Sequence, residues 1–381
     1  MADKKSDDTL RILVACRKFD GVVGGVERMS TTLMNELVKR GHEVFLFTWD
    51  EREDAKAFYP IDEKIKWTKL AMGDPTHKAS LLLRLKRALK VRKILNSIRP
   101  DIVLGFQEGS FVTLKLYGLG LGIPMICAIR ESPFRYAYIE AKPPFWFSCQ
   151  IFRLAASVTV QFERYKAAFP KFLWPTIKVT PNHIFPAAEL ADTDGKSGER
   201  KILLSTGRLS PEKNHKILVE AFAKISDELP DWDLVIVGKG GQEEPLKKQT
   251  SALPESVAAR IHLPGPTDDV PSWLKQAQLF CLPSKWEGFP NALAEAMAHG
   301  LPCVGFAECD GVRDLIDHGK TGILAAGNDD ASTLAVTLRK LMESSELRRT
   351  MGQAGFEKTK SYSPEAMLDN WETVLREGAG R

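Results

Sequence analysis

Short apolar runs recur along the chain, and helical patterns separate most of them. Runs of four to eight apolar residues are typical of strands buried on both faces of a parallel sheet. Parallel neighbours need a crossover connection, which is usually a helix. The sequence therefore predicts an α/β protein with two doubly wound sheets, one on each side of a polar stretch at 182–200. The predicted strands are 11–16, 43–48, 65–70, 101–106, 125–130, 158–161, 178–181, 201–207, 233–238, 260–263, 279–283, 302–306 and 322–325.

Size and composition exclude several classes of protein. With 381 residues, 44% of them hydrophobic and 27% charged, the chain is long enough for two globular domains. No run approaches the roughly 18 apolar residues that a membrane span needs. The polar N-terminus has no apolar signal core, so we expect a cytoplasmic protein. The six cysteines form no CxxC pair and the seven histidines show no metal-type spacing, so we expect reduced core thiols and no metal site.

The charge is distributed unevenly. Residues 1–180 carry 30 Lys and Arg against 19 Asp and Glu, whereas the remainder carries 23 against 30. The segment 78–95 alone has seven basic residues and no acidic one, and Leu81, Leu82, Leu85 and Leu89 share one face of the predicted helix. A basic amphipathic helix can lie on anionic lipid, which predicts peripheral membrane contact through 78–95. The alternative is that the leucine face packs on the sheet. The aromatic stretch 142–152 fits either an interface or the core.

The loop after the first strand contains two adjacent glycines, Gly24 and Gly25. Glycines at this place let backbone N–H groups approach a phosphate closely. The alternative is that they only form a tight turn. The spacing is not GxGxxG, so the dinucleotide-binding fingerprint is absent.

The loops after the second series of strands carry the charged residues that ligand binding needs, because ligands of such folds bind at the carboxyl ends of the strands. Arg208 and Lys213 lie in one short loop before a helix, where two cations can clamp a diphosphate. The alternative is two ordinary surface charges. The two DxD triplets, at 192–194 and 231–233, fall in the polar stretch and at the amino end of a strand, which argues against metal binding by either.

The stretch 283–300 places two carboxylates around the start of a helix. Pro290 is expected at the first helical position and Gly300 just after the end. Glu295 is the only charged residue between Gly288 and Pro302, and Glu287 lies just before the helix. Carboxylates accept hydrogen bonds from hydroxyls, and a helix start attracts an anion. This arrangement suits a ligand that carries both hydroxyls and phosphate.

Assembled in order, these loops resemble the retaining glycosyltransferases of the GT-B fold, family 4. The resemblance extends from Arg11 to about Leu375. Its motifs are the Glu-x7-Glu element Glu287-Gly-Phe-Pro-Asn-Ala-Leu-Ala-Glu295, the element Gly207-Arg208-Leu209…Glu212-Lys213, and the glycine pair Gly24-Gly25 followed by Val-Glu-Arg.

The resemblance implies transfer of a sugar, with retention, from a nucleotide diphosphate donor held in a cleft between two Rossmann-like domains. UDP is the more common donor nucleotide in the family. The expected acceptor is a glycan or a lipid-linked molecule of polysaccharide or lipopolysaccharide synthesis. No cofactor and no nucleic-acid partner are expected. The resemblance implies that Glu295 binds the ribose and Glu287 the donor sugar. It implies that Arg208 and Lys213 neutralise the diphosphate, and that Phe289, Pro290 and Asn291 make contacts at the helix start. In the first domain, it implies phosphate approach at Gly24 and Gly25 and substrate binding on the acceptor side by Arg130.

The resemblance also implies the division of the chain. Residues 1–184 are expected to form an N-terminal acceptor-side domain, 185–360 a nucleotide-sugar-binding domain, and 361–381 a helix that returns to the first domain. Two alternatives remain open at this point: a nucleotide-sugar epimerase of the same fold, and a noncatalytic nucleotide-sugar-binding protein.

Overall fold

Every strand predicted from the apolar runs is present in the structure, with ends that differ by at most two residues. The computed structural model describes residues 9–74, 77, 79–137, 145–195 and 199–381. The chain divides into two units. The first is Met1–Asn182 with Glu365–Arg381, and the second is His183–Pro364.

The first unit contains a seven-stranded sheet in the order β3-β2-β1-β4-β5-β6-β7, and all of its strand pairs are parallel. Its strands are β1 (Arg11–Cys16), β2 (Glu43–Thr48), β3 (Lys66–Lys69), β4 (Ile102–Phe106), β5 (Met125–Ala128), β6 (Ser157–Val160) and β7 (Ile177–Val179). Its helices are α1 (Gly25–Lys39), α2 (Leu81–Ile98), α3 (Glu108–Tyr117), α4 (Phe145–Phe152) and, at the end of the chain, α13 (Pro364–Ala379).

The second unit contains a six-stranded parallel sheet in the order β10-β9-β8-β11-β12-β13. Its strands are β8 (Lys201–Thr206), β9 (Trp232–Val237), β10 (Ile261–Gly265), β11 (Leu279–Leu282), β12 (Cys303–Phe306) and β13 (Gly322–Ala325). Its helices are α5 (His215–Ile225), α6 (Glu243–Ser251), α7 (Glu255–Ala258), α8 (Val270–Gln276), α9 (Asn291–Ala298), α10 (Val312–Leu315), α11 (Ala331–Glu343) and α12 (Ser345–Thr359). Both sheets have the doubly wound order of Rossmann-like folds, which confirms the predicted fold class.

The polar stretch 182–200 has no helix or strand in its described part, but it is packed against the second unit. The backbone N–H of Ala191 donates to the carbonyl of His299 at 2.8 Å. The guanidinium of Arg348 donates to the carbonyl of Thr193 at 2.7 Å. The stretch therefore follows the surface of the second unit over much of its length.

The last helix, α13, belongs to the core of the first unit. Its buried face packs among residues of β1, β4 and α1 through Met367, Leu368, Trp371, Val374 and Leu375. Trp371 is fully buried, and its ring lies 6.2 Å from that of Phe106. This placement agrees with the expected return of the C-terminal helix to the first domain.

Charges at the edge of α13 hold the helix in place. Arg40 forms salt bridges with Asp369 at 2.6 Å and with Glu372 at 2.8 Å. Burial acts to raise the pKa of Glu372, but hydrogen bonds from Arg40 and Arg376 outweigh it and bring the pKa down to about 2. The carboxylate therefore stays ionised in the folded protein throughout the neutral and mildly acidic range.

The leucine face of α2 is exposed. The buried positions of this helix are Arg87, Val91, Leu95 and Ile98. The expected alternative, in which the leucines pack on the sheet, is therefore wrong, since the buried residues lie on the opposite side of the helix. The side chain of Arg87 is accommodated there because its guanidinium donates to the carbonyls of Met72 and Gly73. Lys78, the first residue of the predicted segment, and 142–144 of the aromatic stretch lie outside the described residues. No helix in the described part of the chain is both long and apolar enough to cross a membrane.

We predict that Trp371→Ala lowers the free energy of unfolding of the first unit by about 3–5 kcal/mol, because it leaves a cavity under α13. Thr373→Ala is the matched control, since Thr373 is exposed on the same helix, and it should change stability by less than about 0.5 kcal/mol. Urea unfolding, read by hydrogen exchange of peptides from each unit, measures both effects. Equal losses for the two variants would show that α13 contributes little to the first unit.

Candidate functional site

The predicted donor-site residues of the second unit lie at one edge of its sheet. Because all six strands are parallel, the loops that follow them emerge at the same edge. The strand order reverses between β8 and β11, and this switch point is where ligands of open α/β sheets bind. The loop after β8 carries Arg208 and Lys213, and the loop after β11 carries Glu287.

The loops after β8 and β9 are held together through their backbones. The N–H of Leu209 donates to the carbonyl of Lys239, and the N–H of Gln242 donates to the carbonyl of Leu209, both at 2.9 Å. A Cβ at Gly240 would lie 2.2 Å from the carbonyl oxygen of Leu209, so a larger residue would push the loops apart. Close packing of the loops thus explains the glycines at 238 and 240.

Lys213 and Glu287 form an ion pair. The Nζ atom of Lys213 lies 2.6 Å from Oε1 of Glu287, and the hydroxyl of Ser284 donates to the same oxygen at 2.7 Å. Both charged side chains are largely buried, with exposed fractions of 22% and 10%. The structure therefore brings together two predicted residues that are 74 positions apart in the sequence.

The backbone of Glu287 is fixed by the loop after β12. Its N–H donates to the carbonyl of Asp310 at 3.0 Å. Gly311 has a φ of +80°, and a Cβ there would lie 2.9 Å from the carbonyl oxygen of Glu287. A glycine is required at 311 both for this backbone conformation and for the close approach.

A second set of contacts supports these loops, and most of these contacts are not recognisable from the sequence. Lys285 forms a salt bridge with Asp329 at 2.9 Å, and the amide of Asn214 donates to the other oxygen of Asp329 at 3.0 Å. The N–H of Lys285 donates to the carbonyl of Glu212 at 2.8 Å. Lys285 lies within the stretch 283–300, but Asp329 lies in a loop far away in the sequence and belongs to no recognisable motif.

Arg208 lies in the same loop as Lys213 but points to solvent. It is exposed, and its side chain makes no hydrogen bond or salt bridge to any residue that the structure describes. A guanidinium with five unused donors can bind an incoming phosphate without first breaking a bond.

The helix after β11 begins one residue later than predicted. It starts at Asn291, and Pro290 is the residue before it, with a φ of −78° and a ψ of 79°. Phe289 is buried with its ring edge-on to Tyr362, 5.9 Å between centroids, so packing accounts for it. Gly300, with a φ of +73°, ends the helix as predicted, and the N–H of Leu301 donates to the carbonyl of Ala296 at 3.1 Å.

Glu295 lies in the middle of this helix. Its side chain is half-buried, and Oε1 is shielded from solvent. The first turn of the helix contains no acidic residue. The carboxylate thus lies a little more than one turn into the helix, on a sequence otherwise rich in alanine.

In the first unit, the glycine pair is at the start of α1. Gly24 precedes the helix and Gly25 is its first residue. A Cβ at Gly24 would lie 2.2 Å from Oε2 of Glu27, so the carboxylate of Glu27 lies against the helix start itself. A negative charge here stabilises the helix dipole. In the sequence, Glu27 is recognisable only as part of the Gly-Gly-Val-Glu-Arg motif, which does not reveal this role.

Arg130 is buried within the first unit. Its guanidinium donates to the carbonyl of Thr180 at 2.7 Å and to the hydroxyls of Thr159 and Thr180 at 2.6 and 2.8 Å. It lies over the ring of Trp371, 5.1 Å from the centroid. Burial lowers the pKa of Arg130 to about 9. These contacts hold Arg130 in place just after β5, and its role in substrate binding stays a prediction.

The DxD triplets are used by salt bridges. Asp231 contacts Lys201, Asp233 lies 2.7 Å from Arg200, and Asp194 lies 2.8 Å from Arg349. Among the residues that the structure describes, no group of three or more His, Cys, Asp or Glu side chains is arranged to hold a metal ion.

Two neighbouring groups stay neutral. Burial, and secondarily the charge of Glu287, raises the pKa of the Cys309 thiol far above its ordinary range, so this cysteine is not a thiolate. Burial, and secondarily the charge of Lys213, lowers the pKa of His215 to about 3.

Comparisons with known proteins agree with this arrangement. Residues 23–182 match the family model described as Glycosyltransferase Family 4, and residues 188–358 match the model described as Glycosyl transferases group 1. Two Rossmann-like parallel sheets with this pair of matches define a glycosyltransferase of the GT-B fold. The chain belongs to the family 4 type of these enzymes.

Relatives of similar length support this assignment. An uncharacterised glycosyltransferase of Haemophilus influenzae is 26% identical over 362 residues, which cover 93% of this chain and 97% of the relative. The amylovoran biosynthesis glycosyltransferase AmsD of Erwinia amylovora is 23% identical over 369 residues, which cover 94% and 98%.

Solved structures share the fold. Sucrose-phosphate synthase from Thermosynechococcus elongatus has a TM-score of 0.81 at 18% identity, with coverage of 96% of this chain and 98% of that one. HepE from Anabaena, in complex with UDP and glucose, has a TM-score of 0.74 at 16% identity and coverage of 96% and 99%. The lipopolysaccharide outer core galactosyltransferase WaaB has a TM-score of 0.75 at 18% identity and coverage of 96% and 98%.

We predict that His215 makes the second unit less stable in acid. Above pH 6.5, the ordinary pKa of histidine, the imidazole is neutral in both states. Between pH 6.5 and about 3 the unfolded chain binds a proton that the folded chain does not, so stability falls as the pH falls. The slope from this group is at most about 1.4 kcal/mol per pH unit.

The measurement is urea unfolding of the second unit from pH 7 to pH 4 for wild type and His215→Leu. The variant should have a smaller slope, by up to one bound proton. Ile217→Val is the control, because it removes a methylene from the same helix without removing a titrating group and should keep the wild-type slope. A wild-type slope in His215→Leu would contradict the assignment.

Proposed function

We propose that the protein is a retaining glycosyltransferase that transfers a hexosyl group from a UDP-sugar to a glycan or lipid-linked acceptor in polysaccharide or lipopolysaccharide synthesis. The observation that carries this proposal is the ion pair between Lys213 and Glu287, at 2.6 Å, at the switch point of the second sheet. It brings a cation for the leaving group and a carboxylate for sugar hydroxyls to one place.

The role of Lys213 follows from where charge develops. Breaking the bond between the sugar and the diphosphate leaves additional negative charge on the leaving oxygen. Groups that are already oriented toward such charge lower the barrier, because they need no reorganisation during the reaction. Glu287 and the surrounding loops hold the ammonium of Lys213 in position before any donor arrives.

Arg208 supplies the second cation. It is exposed in the same loop and makes no side-chain bond to any residue that the structure describes. It can therefore bind the diphosphate in bidentate fashion as the donor arrives, while Lys213 is fixed. Together the two cations would do the electrostatic work for which other transferases use a divalent metal, and we propose a metal-independent reaction.

The carboxylates provide recognition of hydroxyls. Glu287 would accept from the donor sugar, and Glu295 from the ribose, since ionised carboxylates are acceptors only. Asn291, at the start of α9, supplies a side-chain amide that can serve the sugar or the phosphate. Glu295 lies a little beyond the first turn of α9.

The names of relatives support the donor and the acceptor class. HepE was crystallised with UDP and glucose, WaaB is a galactosyltransferase of the lipopolysaccharide outer core, and AmsD acts in amylovoran biosynthesis. A hexose carried on UDP and a bacterial surface glycan are therefore the substrates to test first.

We predict that the protein releases UDP from one member of a panel of UDP-hexoses in the presence of EDTA when an acceptor is present. Nucleotide release is followed by a coupled assay, and the anomeric configuration of the product by NMR. An inverted product would contradict the retaining mechanism. A new sugar isomer formed without an acceptor would replace this proposal with an epimerase, and tight donor binding without turnover would replace it with a noncatalytic binding protein.

We predict that Arg208→Ala lowers kcat by about a hundredfold or more, because it removes one of the two cations proposed to stabilise the leaving diphosphate. Glu287→Gln should have an effect of similar size, since it removes the charge that holds Lys213. Lys248→Ala is the matched control, because Lys248 is an exposed cation in the last turn of α6, and it should retain wild-type activity. Near-normal turnover in Arg208→Ala would show that the diphosphate is bound elsewhere.

A further inference from the structure

The outer face of α2 carries four leucines that no described residue of the first unit covers. Leu81, Leu82, Leu85 and Leu89 have exposed fractions of 83%, 74%, 60% and 62%. Residues four apart lie on the same side of a helix, so Leu81, Leu85 and Leu89 form a stripe and Leu82 lies beside it. We call these four residues the leucine face. Monomeric proteins rarely expose contiguous apolar patches of this kind without a function.

The start of the helix is well defined, so the leucine face is a fixed surface. The hydroxyl of Ser80 accepts from the N–H of Leu83 at 3.3 Å and caps α2. Farther along, the guanidinium of Arg92 donates to the carbonyls of Tyr117 and Leu119 at 3.0 and 2.8 Å. These bonds tie the helix to the segment that follows α3.

The charge of α2 has one sign. The helix contains Arg84, Lys86, Arg87, Lys90, Arg92 and Lys93 and no acidic residue. Within the part of the chain that the structure describes, none of these six forms a salt bridge. Lys86 and Lys93 are exposed and carry no described side-chain bond. They lie one helical turn after Leu82 and Leu89, respectively.

We propose that α2 binds the surface of an anionic membrane, with the leucine face in the headgroup region and Lys86 and Lys93 on the phosphates. Apolar insertion combined with cations at its border is the recognition mode of interfacial helices. The excess of 11 positive charges in residues 1–180 adds long-range attraction to anionic lipid. A second copy of the chain is a poorer occupant, because a symmetric contact would bring two basic helices together.

Membrane binding by α2 goes beyond the proposed function, because it gives the place where the enzyme would meet a lipid-linked acceptor. It does not depend on the proposed reaction being correct. The two can fail separately, because vesicle binding needs no donor and sugar transfer to a water-soluble acceptor needs no vesicle.

The test is sedimentation of the full chain with vesicles of phosphatidylcholine containing 30% phosphatidylglycerol, and with vesicles of phosphatidylcholine alone. We expect binding to the anionic vesicles, weaker binding to the neutral ones, and a loss of binding at high salt. Leu81→Ser/Leu85→Ser/Leu89→Ser should lower the partition coefficient by at least about tenfold. Leu347→Ser, an exposed leucine of the second unit, is the matched control and should bind like wild type.

A second pair of variants tests the charge. Lys86→Gln/Lys93→Gln should lower binding to anionic vesicles by on the order of tenfold and leave binding to neutral vesicles unchanged. Lys248→Gln/Lys340→Gln removes two exposed cations of the second unit and should bind like wild type.

Absence of wild-type binding, or equal binding of wild type and the triple leucine variant, would overturn the proposal. So would a wild-type dimer that becomes monomeric in the triple variant while neither binds vesicles. Far-UV circular dichroism and wild-type UDP release with a soluble acceptor would show that the triple variant is folded.

Discussion

The ion pair between Lys213 and Glu287 is the contact on which the proposed site depends. Both side chains are largely buried, so each would lose hydration without compensation if the other were absent. The hydroxyl of Ser284 adds a hydrogen bond to the same carboxylate oxygen. The ion pair of Glu287 and Lys213 has no net charge. When a diphosphate binds beside it, the site as a whole becomes negative, and a second cation then stabilises the complex. Arg208, exposed in the same loop, supplies that cation.

The backbone explains why this pair forms where it does. Parallel strands deliver their loops to one edge, and glycines let neighbouring loops touch without intervening side chains. Gly240 permits contact between the loops after β8 and β9, and Gly311 permits contact between the loops after β11 and β12. The functional side chains are therefore positioned by backbone contacts on both sides of the switch point.

Much of the fold, and less of the site, could be predicted from the sequence. Strands of a parallel sheet are continuous apolar runs, so each was recognisable without its neighbours. The leucine face shows the limit of the same reasoning: periodicity revealed an apolar side of α2 but not that the sheet lies against the opposite side. That side contains Arg87, whose guanidinium is satisfied by the carbonyls of Met72 and Gly73, contacts that no local pattern announces. Arg130 shows a related limit, because the sequence places it just after β5 but does not show that Thr159 and Thr180 accept hydrogen bonds from its guanidinium.

The helix starts of α1 and α9, each preceded by glycine in the sequence, are not equivalent. At α1 the carboxylate of Glu27 already lies against the helix start, where a phosphate would have to displace a like charge. At α9 the first turn is free of acidic residues, and the nearby charge of Glu287 is balanced by Lys213. An anion is therefore bound at lower electrostatic cost in the second unit. Under the proposed function, this difference favours binding of the diphosphate by the loops after β8 and β11 over binding at the start of α1.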